Sequence, residues 1–590
     1  MHQFHIPVLG LGFSIDTPLK VARYGISSVV SIVDDELLER MREYHCQQQN
    51  IGYQPISKQD DDSRARRITA YLNLLGQLVD QQFTALQQQA FFTGSDLDNY
   101  FELLPENDPL KQRYKLLNEH PDGKICQKTE QLLRQAIKPG TIDVNIMAKI
   151  DKLNYDAEGH YAGDHQTDAL AALRGFAKSD LQSSVVLSAG LNQRLYGYME
   201  QFTDFYPDKD GVQKKKIILK VSDYRSALVQ AKLLAKKGLW ISEFRIESGL
   251  NCGGHAFATD GLLLGPILEE FKQKREALYA ELLTIYQKAL TDKGRQPIID
   301  PTQRITAQGG IGTAAEHQFL CTYYGLDGTG WGSPFLLVPE ATNVDEVTLN
   351  NISDADQDDF YLSNASPLGV LFNNFRQSSM EQQRLERIAL GKPGSPCVKK
   401  LMVNNTEFTS EPICTASRKY QALKILQLKA SALTDEELQH QIDAVTEKIC
   451  LCEGLCASAY IKNGMLKPRE NPAVSICPGP NIAYFSGPYS LREMVGHIYG
   501  RVDLLYKVSR PHMFMNELRL YVDYLKKSIA DSAAALTDKQ LKYFQKFNAQ
   551  LQDGISYYRG LFRNMQIPGE DLLDKMAEQL SGEEGLLQVV

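Results

Sequence analysis

A chain of 590 residues, 43% hydrophobic and 23% charged, has room for roughly two to four domains with full cores. Its formal net charge of -8 argues against a nucleic-acid or anionic-membrane footprint, and no apolar stretch approaches the roughly 20 residues of a membrane span. The N-terminus lacks a leader-peptide pattern and the ten cysteines are scattered, so a reduced, cytoplasmic protein is expected.

Ile6 to Phe13 is an apolar run punctuated by Gly10 and Gly12. It reads as a central strand whose end must approach something closely. Asp16 or Thr17 then caps a helix with Pro18 at its first position, and Gly25 ends it. Ser27 to Val33 is a second strand, completing a βαβ unit. From Asp34 to Gly140 the apolar residues recur at helical spacing, as in Ile68, Leu72, Leu75 and Leu78, and predict a helical insertion. Strands resume at Thr141 to Met147, Ser184 to Gly190, Lys216 to Lys220 and Trp240 to Ile246, with an amphipathic helix over Ser222 to Lys237. Arg304 to Ala307 and Gly325 to Gly332 are two more, separated by a helix from Thr313 to Tyr324. Eight strands alternating with helical sequence predict an α/β fold, a (β/α)8 TIM barrel.

An acidic link follows Glu340, then a loop-rich stretch containing Cys397 and Cys414. Beyond Thr434 the pattern is mostly helical, with Asp435 and Glu436 in a capped first turn and one proline-rich interruption between Lys462 and Ser490. The expected organisation is a barrel over 1–345 with its insertion at about 35–140, a linking segment over 346–433 and a helical region over 434–590.

Two glycine-bearing turns carry the chemistry. Gln308-Gly309-Gly310 precedes a helix, and Gly330 to Ser333 ends the last strand. Adjacent βα turns that offer backbone N–H groups, one of them at a helix N-terminus, are how a barrel holds a phosphate after its seventh and eighth strands. The alternative is that these glycines only form the turns of a phosphate-free barrel.

In this order the pieces resemble the FMN-dependent barrels of the nitronate monooxygenase (2-nitropropane dioxygenase) type, which share their cofactor architecture with the FMN domain of glutamate synthases. The resemblance runs from Ile6 to Val338 with the insertion left out, and rests on Ile6 to Phe13, Val144 to Ile146, Val185 to Gly190, Lys237 to His255, Gln308 to Gly312 and Gly330 to Phe335. It implies FMN as cofactor. Gly309, Gly310, Gly332 and Ser333 would supply phosphate donors, joined by Gln308. Gly10, Gly12 and Phe13 would lie against the flavin ring. Asn145 and Lys220 would reach its edge, where a cation stabilises reduced flavin; a barrel-rim salt bridge is the other reading of Lys220. Gly253 and Gly254 would present His255, which in that family takes a proton from the carbon beside the nitro group; the other reading of His255 is a histidine that hydrogen-bonds the cofactor or a loop and moves no proton. His317, on the helix after the phosphate turn, is expected to be structural. Asn251-Cys252 interrupts the family's usual run, and Ser363 to Val370 resembles a glutamate synthase iron–sulfur segment with serine and alanine in place of cysteine, so that cluster should be absent.

The resulting expectation is an FMN-dependent oxidoreductase on a small organic substrate, nitronate monooxygenase-like, with O2 reoxidising the flavin. The alternatives are an NAD(P)H-dependent enoyl or quinone reductase, and a flavin-free barrel acting as a binding scaffold. Cys450, Cys452, Cys456 and Cys477 superficially suggest a metal site, but their spacing matches no standard signature. Cys452 and Cys456 share a helix face that Cys450 does not. Buried free thiols without metal are the expectation; a cluster is the alternative, which Cys397 and Cys414 could join only through the fold.

Overall fold

The computed structural model describes the chain except residues 1, 120–123, 148–150, 156–159, 189, 252–259, 506–507, 533–535, 566, 568 and 590, and only the backbone at 124–126, 570 and 582–589. Runs rich in Val, Ile and Leu form the strands β1 (Phe4–Ile6), β2 (Ser27–Ser31), β3 (Ile142–Ile146), β4 (Ser183–Leu187), β5 (Lys215–Val221), β6 (Ile241–Glu247), β7 (Arg304–Gln308) and β8 (Gly328–Gly330). They pair in parallel in sequence order, and β8 closes on β1. The expected barrel is present.

β1 and β8 are much shorter than the runs read for them. β1 ends at Ile6, because Pro7 has no N–H for the ladder and Gly10 turns the chain at φ 56°. Leu9 and residues 11–13 are nevertheless buried: Gly12 donates its N–H to Leu455 O at 3.0 Å, and the run lies beneath the helix Leu451–Lys462. An apolar run reports burial, not extension, so strand and buried loop read alike. β8 keeps three residues, and Trp331 to Ser333 form the turn beyond it.

The insertion is helical as expected, with helices at Asp35–Gln48, Ser63–Gln88, Asp96–Leu103, Pro109–Glu119 and Lys124–Ala136. The second buries Ile68, Leu72, Leu75 and Leu78 on the face their spacing defines. After the barrel, the stretch read as loop contains an antiparallel hairpin, β9 (Phe360–Ser363) and β10 (Phe372–Phe375), closed by stacked Phe360 and Phe375 rings. Four-residue strands are too short to show a periodicity. Thr434 and Glu437 form a capping box on the helix Asp435–Thr446.

One continuous hydrophobic cluster extends from Phe4 to Leu580, so the C-terminal helices share the barrel's core. Among the described residues no helix is long and apolar enough to cross a membrane.

Candidate functional site

Alternation along the strands aims Asp143, Glu243, Arg245, Thr306 and His5 into the lumen. Arg245 Nη2 lies 2.8 Å from Glu243 Oε1 and 3.4 Å from Asp143 Oδ2, and Thr306 Oγ1 donates to Glu243 at 2.7 Å. Burial opposes ionisation of both carboxyls. Arg245 and Arg304 hold Glu243 down at about 2, whereas burial wins at Asp143 and raises it. His5 is pushed down to about 3 by burial and is neutral. Its Nε2 stands 3.4 Å from Gln308 Oε1, an arrangement in which the ring donates and the amide oxygen accepts.

One layer higher, at the C-terminal mouth, Glu247 ends β6. Its Oε1 accepts from Asn251 Nδ2 at 2.6 Å, Gln308 Nε2 at 2.7 Å and Lys220 Nζ at 3.1 Å. The Gln308 amide also reaches Asn251 Oδ1 at 3.2 Å. With its oxygen turned to His5, Gln308 can present only its NH2 to Glu247, so the contact below fixes the orientation above. A Cβ at Gly330 would stand 2.6 Å from Gln308 Cβ and 2.9 Å from His5 Nε2, which is why β8 carries glycine there. Asn145 is half-buried on the lumen side of β3, and its amide has no hydrogen-bond partner among the described residues.

The turns after β7 and β8 stand beside this group. Gly309 and Gly310 adopt φ 108° and 76°. A Cβ on Gly309 would meet Asn251 at 3.0 Å, and one on Gly310 would meet Leu250 at 2.5 Å, so the loop after β6 rests directly on the turn. Gly479 donates its N–H to Ser333 Oγ at 2.8 Å, leaving the Ser333 hydroxyl proton free to donate elsewhere. Asn481 Nδ2 donates to Ile311 O at 2.9 Å. Arg510 donates to Gly310 O, to Asn481 Oδ1 at 2.8 Å and to Glu316 Oε1 at 2.6 Å. Glu316 also accepts the N–H groups of Gly312 at 2.8 Å and Met513 at 2.7 Å. Burial disfavours its charge, but Arg510 and these donors hold it below the usual carboxylate range. The N–H groups of Gly309, Gly310, Ile311, Gly332 and Ser333 find no acceptor among the described residues, although all five residues are buried. Buried backbone donors are nearly always paired, so five without a partner among the described residues set these two turns apart.

The structure thus brings together Lys220, Gln308, Gly309, Gly310, Gly332 and Ser333 of the residues expected from sequence, with Asn145 across the lumen. Of the two readings of Lys220, the structure shows the barrel-rim salt bridge, in its 3.1 Å contact with Glu247. Gly253, Gly254 and His255 lie outside the described residues. Gly12 makes a different close approach from the one expected: a Cβ there would meet Leu455 O at 3.0 Å and Cys456 Cα at 3.3 Å, so a helix and not a flavin ring covers it. The Phe13 ring folds onto Gly10, and its carbonyl accepts from Asn343 N–H at 2.8 Å. His317 hydrogen-bonds Thr329 at 2.7 Å and is pushed to about 4 by burial, a structural role. Cys456 donates to Asp34 at 3.3 Å, away from the cysteines with which its spacing grouped it.

Glu247, Asn251 and His5 were missed. Glu247 lies two and four positions beyond Arg245 and Glu243, so a period-two reading of β6 would have put it in the lumen. Nothing local marks Asn251, Arg510 or Asn481, which act through packing.

No protein-family model and no curated protein matches this sequence. Among solved structures, the enoyl reductase domain of MlnA from the macrolactin biosynthesis cluster of Bacillus amyloliquefaciens is similar at 14% identity over 76% of this chain and 88% of that one, with a TM-score of 0.30. A likeness this loose adds nothing to the barrel topology already described. The class defined by fold and site is a (β/α)8 barrel with a charged lumen and two glycine-bearing turns at its C-terminal mouth.

Proposed function

We propose that this chain is an FMN-dependent oxidoreductase acting on a small organic substrate at the barrel mouth. The observation that carries this reading is the group of five N–H donors of buried residues in two adjacent turns that find no acceptor among the described residues, with the Ser333 hydroxyl beside them. These donors suit a phosphoryl group, and the position after the seventh and eighth strands is where barrels bind one. Among the described residues, Glu316 engages Gly312, one residue past these donors, and Arg510 holds the carbonyl side of the same turn.

FMN, when bound, supplies electron and hydride transfer to an organic substrate. Gly309, Gly310, Ile311, Gly332 and Ser333 would hold its phosphate. Lys220 is a cation at the mouth, and Glu247, itself held by Gln308 and Asn251, keeps it in place without reorganisation. Asn145 offers an amide with no competing partner among the described residues. Within the class, nitronate oxidation with His255 taking the α-proton is the specific reading, because an imidazole near its ordinary pKa is an effective base at neutral pH.

The visible spectrum of the purified protein tests the class. Oxidised-flavin bands, or their appearance after FMN is added, support it; a colourless protein that takes up no FMN overturns it. His255→Ala then tests the specific reading: flavin should stay bound while nitronate turnover is lost.

A further inference from the structure

The turn after β7 has glycine at 309, 310 and 312, so its own side chains restrain its peptide planes little. In a trans peptide the carbonyl of one residue and the N–H of the next point in opposite directions. Fixing a carbonyl on one side therefore aims the following N–H at the other. Three of the five N–H groups without an acceptor among the described residues are aimed in this way. The carbonyl of Gln308, which precedes Gly309 N–H, accepts from Ser248 N–H at 3.0 Å. That of Gly332, which precedes Ser333 N–H, accepts from Phe335 N–H at 2.9 Å. Both restraints come from the barrel's own backbone. The third does not: the carbonyl of Gly310, which precedes Ile311 N–H, accepts from Arg510 Nη2 of the C-terminal region.

The same region grips the turn a second time. Asn481 Nδ2 donates to Ile311 O at 2.9 Å, and the Gly312 N–H of that peptide donates to Glu316 Oε2 at 2.8 Å. Arg510 ties these anchors together, donating from Nε to Asn481 Oδ1 at 2.8 Å and from Nη1 to Glu316 Oε1 at 2.6 Å. Its three nitrogens reach three segments at once, a span that the rigid guanidinium fork covers and the compact lysine ammonium does not. A Cβ at Gly312 would stand 2.7 Å from Arg510 Cζ, so glycine there makes room for the guanidinium. The side chains of Arg510 and Asn481 are buried. A peptide plane that rotates exchanges an N–H facing an anion for a carbonyl oxygen that repels it, and a fixed plane prevents this.

We propose that Arg510 and Asn481 are positioning residues through which the C-terminal region sets the phosphate selectivity of the barrel mouth, holding the turn after β7 so that Ile311 N–H faces a phosphoryl group. This role rests on the phosphate reading of the two turns and deepens it. FMN and riboflavin differ only in the phosphate, and the choice between them falls to residues that brace the donors from behind.

The test is titration of the full chain, stripped of flavin, with FMN and with riboflavin, followed by flavin fluorescence, in wild type, Arg510→Lys and Asn481→Ala. Lysine at 510 keeps a cation beside Glu316, and Asn481→Ala leaves the Arg510–Glu316 pair in place. Wild type should prefer FMN. Each variant should lose FMN affinity by about ten-fold, the effect of one hydrogen bond to a charged group, while riboflavin affinity stays unchanged. The phosphorus NMR resonance of bound FMN should shift in both. Circular dichroism identifies a variant that fails to fold, and the other then decides. Equal losses for the two flavins, or an unchanged preference for FMN in a folded variant, overturn the proposal and leave the flavin reading standing. A wild type that binds FMN no more tightly than riboflavin overturns the phosphate reading itself, and this role with it.

Discussion

Arg510 and Glu316 form an ion pair at 2.6 Å with both side chains 3% exposed. Arg510 comes from the C-terminal region and Glu316 from the helix after β7, so the pair joins the two across the mouth. Arg510 is also the brace of the Gly310 carbonyl. Replacing it with Met leaves a buried carboxylate without its cation, a change that costs about 3–5 kcal/mol. Urea denaturation of Arg510→Met measures this. Adding Glu316→Gln should recover part of the loss, and absence of any recovery would show that packing, not charge, is the cause.

Gly330 makes a steric prediction. Ala there places its Cβ 2.6 Å from Gln308 Cβ and 2.9 Å from His5 Nε2. Overpacking of this kind costs about 1–3 kcal/mol, and it moves the amide that holds Glu247. Gly330→Ala should therefore weaken FMN binding along with stability. Gly560→Ala, in the helix Asp538–Met565 with nothing near its Cβ, should stabilise by about 0.5–1 kcal/mol. Thermal melts and flavin titrations of the two variants separate the effects.

Lys220 is held by Glu247 at 3.1 Å and is expected to act on charge that develops during reaction. Lys220→Met should slow flavin reduction by on the order of 100-fold, the usual effect of removing one electrostatic donor. Stopped-flow reduction under anaerobic conditions checks this. An unchanged rate with a lowered melting temperature would assign Lys220 to structure alone.

Glu517, on the helix Met513–Ser532, accepts the N–H groups of Leu264 at 2.8 Å and Gly249 at 3.4 Å, residues that flank 252–259 in the chain. Burial raises its carboxyl from 4.5 to about 7. The folded state therefore holds this proton more tightly than the unfolded chain. The stability it contributes is complete below pH 4.5 and is lost as pH rises through about 7. The loss amounts to about 3 kcal/mol by linkage. Comparing wild type and Glu517→Gln by denaturant titration at several pH values isolates it: the variant should lack this fall.

The sequence by itself determined the eight strands, their order and the place of the two glycine turns, because period-two burial and backbone freedom are local properties. It also marked Lys220 and Gln308, which stand at strand ends. Only the tertiary structure decided what those residues meet. Glu247 became the hub of the mouth because three other segments aim donors at it. Gly12 approaches a helix more than 400 residues away in the chain. Cys456, which shares a helix face with Cys452, turned to Asp34. Spacing along a chain fixes which side chains share a face, but contacts between faces depend on packing of distant segments, and no local pattern encodes that.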